Sequence, residues 1–114
     1  MQGRTIRISR GDSGLLRLNV AGAALDEGDR AVFTVKRRGG GTAIEKVIRP
    51  KENAFDVPLL PEETGRMPAG TYEWDVRIVL SAKEDETGRV TDGREVITPI
   101  PPSPFLVMKV VGSV

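Results

Sequence analysis

Residues 70–81 read Gly-Thr-Tyr-Glu-Trp-Asp-Val-Arg-Ile-Val-Leu-Ser, and no other stretch constrains the fold as tightly. Tyr72, Trp74, Val76, Ile78 and Leu80 fall on every second position, with Thr71, Glu73, Asp75 and Arg77 between them. A β-strand sends successive side chains to opposite faces, so this segment has one apolar and one wet face. That pattern describes a half-buried antiparallel strand. It carries the only Trp and the only Tyr of the chain, so the core is expected to be built on a sheet with both rings inside.

Other segments repeat the period of two. Residues 4–8 alternate around Ile6 and Ile8, and five turn formers follow, Ser9 to Ser13. Leu16, Leu18 and Val20 then alternate with Arg17 and Asn19. The two runs read as strands joined by a tight connection. Residues 21–29 read as a loop anchored by Leu25. Residues 30–37 are rich in Val, Phe and Thr, which suit a pleated surface, but Val32 and Phe33 are neighbours and cannot both face inward. Gly39-Gly40-Gly41 interrupts and residues 43–49 resume, a hairpin signal. Phe55, Val57 and Leu59 form a further strand. Pro61-Glu62-Glu63-Thr64 fits one helical turn, with Pro at its first position and acids near its positive end. Residues 82–92 read as a charged, flexible long hairpin. Residues 95–100 and 105–111 are the last extended pieces, separated by Pro101-Pro102-Ser103-Pro104.

Roughly seven to eight short strands with frequent turns and one short helical turn predict an all-β protein, an antiparallel β-sandwich. At 114 residues, the whole chain, 1–114, is expected to form one domain and to bury roughly two-thirds of its unfolded surface. Cys is absent, which removes disulfides and thiolate metal sites. His is absent as well, and with it the usual general base and commonest metal ligand. Seventeen basic against sixteen acidic residues argue against a nucleic-acid or membrane-surface binder. No apolar run approaches the ~18–20 residues of a membrane span, and the first ten residues lack the apolar core of a signal peptide. Synthesis in the cytoplasm, without excluding later export within an assembly, is the expectation.

Each chemical constellation has a plainer reading. Asp12, Ser13 and Glu62 have no partner suited to activating a serine, and turn chemistry explains them. Glu84, Asp85, Glu86 and Asp92 match no calcium-loop spacing, and a solvated hairpin tip accounts for them. Gly39-Gly40-Gly41-Thr42 lacks the Lys-Ser/Thr ending and the helix of a phosphate loop. Lys36, Arg37, Arg38, Arg49 and Lys51 make a basic set without aromatic stacking partners. Glu73 and Asp75 lie about 6.6–6.8 Å apart by the strand rise, a hydrolase-like spacing, but on a presumed solvent face. The Pro tract reads first as a stiff crossover that ends one strand and lets the chain change sheets, and second as a segment offered to a partner. These readings predict no enzyme activity, no cofactor and no metal. A carbohydrate-binding sandwich with Trp74 or Tyr72 as a platform is the alternative function.

Taken in order, several pieces resemble the amino-terminal domain of phage baseplate upper proteins (BppU-type) and related prophage tail-region proteins. They are Arg10-Gly11-Asp12-Ser13-Gly14, Ala31-Val32-Phe33-Thr34-Val35-Lys36, Pro61-Glu62-Glu63-Thr64, residues 69–76 and residues 97–105. Their order and spacing carry the resemblance. Two departures are the Pro-rich passage and the short remainder after Val111. The resemblance implies an immunoglobulin-like sandwich acting as a non-enzymatic structural or docking unit of a phage or prophage tail or baseplate. Its implied partners are other phage structural proteins or copies of itself as a homo-oligomer. It would be made in the host cytoplasm, and incorporation into the virion is compatible with that. The candidate interface is Pro101, Pro102, Pro104, Leu106, Met108 and Val110, because residues 105–111 are apolar on both faces, as in strands covered on both sides.

Overall fold

The computed structural model describes residues 4–19, 25–51 and 53–109. In chain order the elements are β1 (Ile6–Ser9), β2 (Gly14–Asn19), β3 (Arg30–Arg37), β4 (Thr42–Ile48) and β5 (Ala54–Leu59). After them come the helical turn α1 (Pro61–Gly65), β6 (Gly70–Leu80), β7 (Lys83–Glu84), β8 (Val90–Asp92) and β9 (Glu95–Met108). One layer is a five-stranded sheet in the order β1-β9-β6-β3-β4, and the second is the pair β2-β5. The β7-β8 hairpin forms a small third sheet. All pairs are antiparallel except β1 with β9, which run parallel from Ile6 opposite Phe105 to Ser9 opposite Met108.

The alternation of β6 explains this arrangement. Tyr72, Trp74, Val76 and Ile78 are all buried, whereas Thr71, Glu73 and Arg77 are exposed. The inward row meets Phe33 and Val35 of β3, Phe105 and Val107 of β9, and Phe55, Val57 and Leu59 of the second layer. Leu25 anchors the loop before β3 in the same core. Two polar tips accompany the rings inward. The Trp74 indole N–H donates to the Arg4 carbonyl at 2.8 Å, and the Tyr72 hydroxyl donates to the Pro68 carbonyl at 2.7 Å. Burying an aromatic ring with its polar atom satisfied retains the full hydrophobic gain.

The β3 register resolves in favour of Phe33. Ala31, Phe33 and Val35 enter the main core, while Val32 and Thr34 point to the other side of the sheet and are buried there as well. Val32 is covered because the 83–92 segment folds back across that outer face. Val90 to Gly93 enclose a cavity of about 390 Å³ with Val32, Val79 and Val96. A Cβ at Gly93 would stand 2.2 Å from a Val79 methyl, so the chain crosses there only because that residue is glycine. Arg30 with Glu84, and Arg89 with Glu45, tie the hairpin to the sheet. The hairpin read from the sequence is present, and it lies as a flap docked on the sheet.

The tip of the flap is shaped by Asp85. One carboxylate oxygen accepts from the Thr87 hydroxyl at 2.7 Å, the Thr87 amide at 2.9 Å and the Arg89 amide at 3.0 Å. These contacts, led by the Thr87 hydroxyl and the Arg89 amide, hold the carboxyl below its usual range. A depressed folded pKa means the tip contacts are fully present above the ordinary carboxylate value and are lost as pH falls through the lowered one. In an acid titration followed by NMR, the Thr87 and Arg89 amides should therefore keep their native shifts through the ordinary carboxylate range and move only below it. In Asp85→Ala they should sit at the displaced position at every pH.

The turn after β1 is as expected with added ties, and the Pro tract departs from the sequence expectation. The connection after β1 is tight, with the Asp12 amide donating to the Ser9 carbonyl at 3.0 Å, but β1 and β2 enter different sheets. That turn docks on α1: the buried Thr64 hydroxyl accepts from the Gly11 amide at 3.0 Å and donates to the Asp12 carbonyl at 2.7 Å. The Pro tract does not end a strand or switch sheets. β9 runs through it as one 14-residue strand. Its register against β6 slips twice, from Trp74 opposite Ser103 to Val76 opposite Ile100 to Ile78 opposite Ile97, with one extra β9 residue each time. Prolines lack an amide donor and are tolerated at bulges and edges. Both conditions hold here, because β1 pairs only with residues 105–108 and, among the described residues, no strand pairs with the rest of that β9 edge.

Candidate functional site

On β9, Phe105 and Val107 face the core, so Pro104, Leu106 and Met108 stand on the outer face of the large sheet. Pro104 is exposed opposite Glu73, Leu106 is half-buried between Thr71 and Arg7, and Met108 is 45 % exposed opposite Ser9. Pro101 and Pro102 are also exposed, at the bulge between Ser103 and Ile100. The candidate interface residues therefore lie along one strand as an apolar row. Val110 lies outside the described residues. The expected cover on both faces is present on the inner face alone, since nothing in the chain's described residues buries Met108.

The remaining sequence candidates separate. Lys36, Arg37 and Arg38 sit at the β3-β4 turn, whereas Arg49 and Lys51 follow the opposite end of β4, so the antiparallel hairpin pulls the basic set apart. Gly39, Gly40 and Gly41 all have positive φ in that turn, which closes through the Arg37 amide to the Gly41 carbonyl at 2.9 Å. Glu73 is exposed, but Asp75 is half-buried opposite Thr34, and Asp75 Oδ1 and Thr34 Oγ1 are both buried without a hydrogen-bond partner. Glu84 is engaged by Arg30 and Asp85 by its own turn, and no three acidic side chains among the described residues converge as metal ligands. Trp74 and Tyr72 are both core residues and offer no surface for stacking a sugar. A cavity of about 550 Å³ lies between the flap tip and β4, and its walls include the Arg30–Glu84 and Arg89–Glu45 pairs that hold the flap.

One residue that the sequence did not single out organises a whole corner. Asp29 is 6 % exposed, and its carboxylate accepts from the Asp26 amide at 2.7 Å and from the Ser81 amide at 2.9 Å. Ser81 is the only non-glycine residue of the described chain with positive φ, at 50°. The only available signal was Asp-Glu-Gly-Asp at residues 26–29, which reads as turn chemistry and not as a long-range tie.

The topology and the aromatic corner define the class. A five-stranded layer faces a two-stranded one, the first strand runs parallel to the last, and Tyr72 at the start of β6 bonds back to Pro68. This is an all-β, immunoglobulin-like sandwich, with Trp74 two residues beyond the corner Tyr, where antibody domains place a disulfide Cys. No family model, curated protein or solved structure matches this chain.

Proposed function

We propose that this chain is a non-enzymatic docking module of a phage or prophage tail or baseplate, working through protein–protein contacts with other structural subunits or with copies of itself. The observation that carries this reading is the apolar outer row of β9, with Met108 45 % exposed beside Leu106 and three exposed prolines. The ordered motifs that resemble baseplate upper proteins supply the setting. Their first and third pieces meet in space, through Thr64 bonding the Gly11–Asp12 turn.

The chemistry of β9 favours face packing over edge pairing. Pro99, Pro101, Pro102 and Pro104 lack the amide donors that an added strand would need. A stable interface buries on the order of 1,000 Å² or more, so the row would be the centre of a contact extending over neighbouring residues. Light scattering across a concentration series is the test. The wild type is expected to self-associate, and Leu106→Glu with Met108→Glu should weaken association about tenfold or more, equivalent to about 1.4 kcal/mol. Strictly monomeric wild-type protein at millimolar concentration removes the self-assembly form of this reading.

A further inference from the structure

We propose that the cleft between β1 and β2 receives an extended peptide segment in which apolar side chains alternate with acidic ones. β1 has one sheet neighbour, β9, and β2 has one, β5. Among the described residues each strand therefore keeps a row of backbone donors and acceptors without a strand partner, and the register places no pairing between them. Such an edge is a template for another strand. The other open edges are closed differently. Across the β4-β5 gap, Lys46 reaches the Pro58 carbonyl and pairs with Glu63. The free stretch of β9 carries the prolines. Neither β1 nor β2 contains proline.

The space between β1 and β2 is shaped for side chains. Two cavities, of about 390 and 270 Å³, share Ile6, Arg7 and Leu16. Half-buried Ile6, Ile8 and Leu16 form an apolar floor, and Leu18 and Trp74 border the smaller cavity. The cleft narrows towards the 9–13 turn, where a Cβ on Gly14 would lie 3.4 Å from Ile8 Cδ1. A segment would thus enter from the Arg4 end. With β1 four residues long and β2 six, a paired stretch of about four to six residues fits.

Charge selects the alternate positions. Arg4 and Arg7 are exposed at this cleft and form no ion pair among the described residues. Arg17 on β2 pairs with Asp56 yet is 78 % exposed. The acid lining the cleft is Asp12, at the narrow end. In strand addition the backbone supplies affinity and alternate side chains supply specificity, so the inward positions are apolar and the outward ones acidic. This inference shares with the docking reading the premise that the chain works through protein contacts, and it uses the β1-β2 edges and not the β9 face, the two adjoining at Arg7 beside Leu106.

The probe is acetyl-Val-Glu-Ile-Glu-Val-Glu-amide, compared with versions N-methylated on alternate amides and with the Lys-for-Glu peptide. Binding is read by Trp74 fluorescence and by amide hydrogen exchange. The Glu peptide is expected to bind and to slow exchange of the unpaired amides in β1 and β2 at least tenfold. N-methylation on the pairing side should weaken binding at least tenfold. Arg4→Glu with Arg7→Glu should weaken the Glu peptide about tenfold and strengthen the Lys peptide, a reversal that loss of folding does not produce. No binding at millimolar peptide, indifference to N-methylation, or protection confined to β4 or β5 overturns the proposal. Light scattering of the β9 variants is unaffected by any of these results, so the two readings fail separately.

Discussion

Trp74→Ala is expected to lower the unfolding free energy by about 3–5 kcal/mol, the range for emptying a large buried aromatic site. Stabilities of small proteins are on the order of 5–15 kcal/mol, so this change alone threatens folding. Three contributions are lost together. The indole is 2 % exposed, its ring lies 5.8 Å from that of Phe33 at a 39° tilt, and its N–H bonds the Arg4 carbonyl across 70 residues of chain. Trp74→Phe separates them. It keeps an aromatic ring beside Phe33 and gives up the hydrogen bond and some volume, for about 1–2 kcal/mol. Urea denaturation followed by circular dichroism measures both, since the variants have no Trp to report. A Trp74→Ala cost below about 1 kcal/mol would contradict the packing described, because such values belong to surface substitutions.

Asp29→Ala is expected to cost about 2–4 kcal/mol, from two charge-assisted hydrogen bonds lost and two backbone donors left without an acceptor. The carboxylate accepts at both oxygens, from Asp26 and Ser81, and thereby fixes the loop before β3 to the corner after β6. Asp29→Asn is expected to recover little of the loss. An amide has one acceptor oxygen, and its NH₂ would face the second backbone donor. Denaturant midpoints should therefore place the Asn variant close to the Ala variant. An Asn variant as stable as the wild type would mean that the second acceptor contributes nothing. Flap order should fall with Asp29, because the Ala82 amide bonds the Gly28 carbonyl at 2.7 Å at the same corner.

The strands were legible where one face is wet. β6 and β5 alternate, and their buried rows are the ones the pattern selects, whereas β3 was legible as a strand but not in register, because both of its faces are covered. The helical turn α1 was legible because Pro61 and two acids mark its start, and the Glu63 carboxylate accepts from the Leu60 amide at 2.9 Å. β9 was misread because proline is a local signal against a strand, while its tolerance depends on the neighbour. An unpaired edge and two bulges made the missing donors harmless. The flap was legible as a hairpin, but its docking on the sheet was not. Its charges look solvated in sequence, yet two of them, Glu84 and Arg89, have partners on β3 and β4.

The candidate interface was legible only in part. Alternation on residues 105–108 assigns Leu106 and Met108 to one face, but not which face the core takes. The β1-β2 cleft was not legible at all, since a tight connection between two strands does not say which sheet each one joins.

Local pattern alone settled that this chain is all-β, that its rings are internal and where most strands run. Period-two burial and turn chemistry act between near neighbours, so they are written in consecutive residues. The partner of each strand, the flap over Val32, the tie through Asp29 and the open cleft were decided by the assembled layers. They depend on which edges and faces remain uncovered once distant segments have paired, a property of the packed sheets and not of any single stretch of sequence.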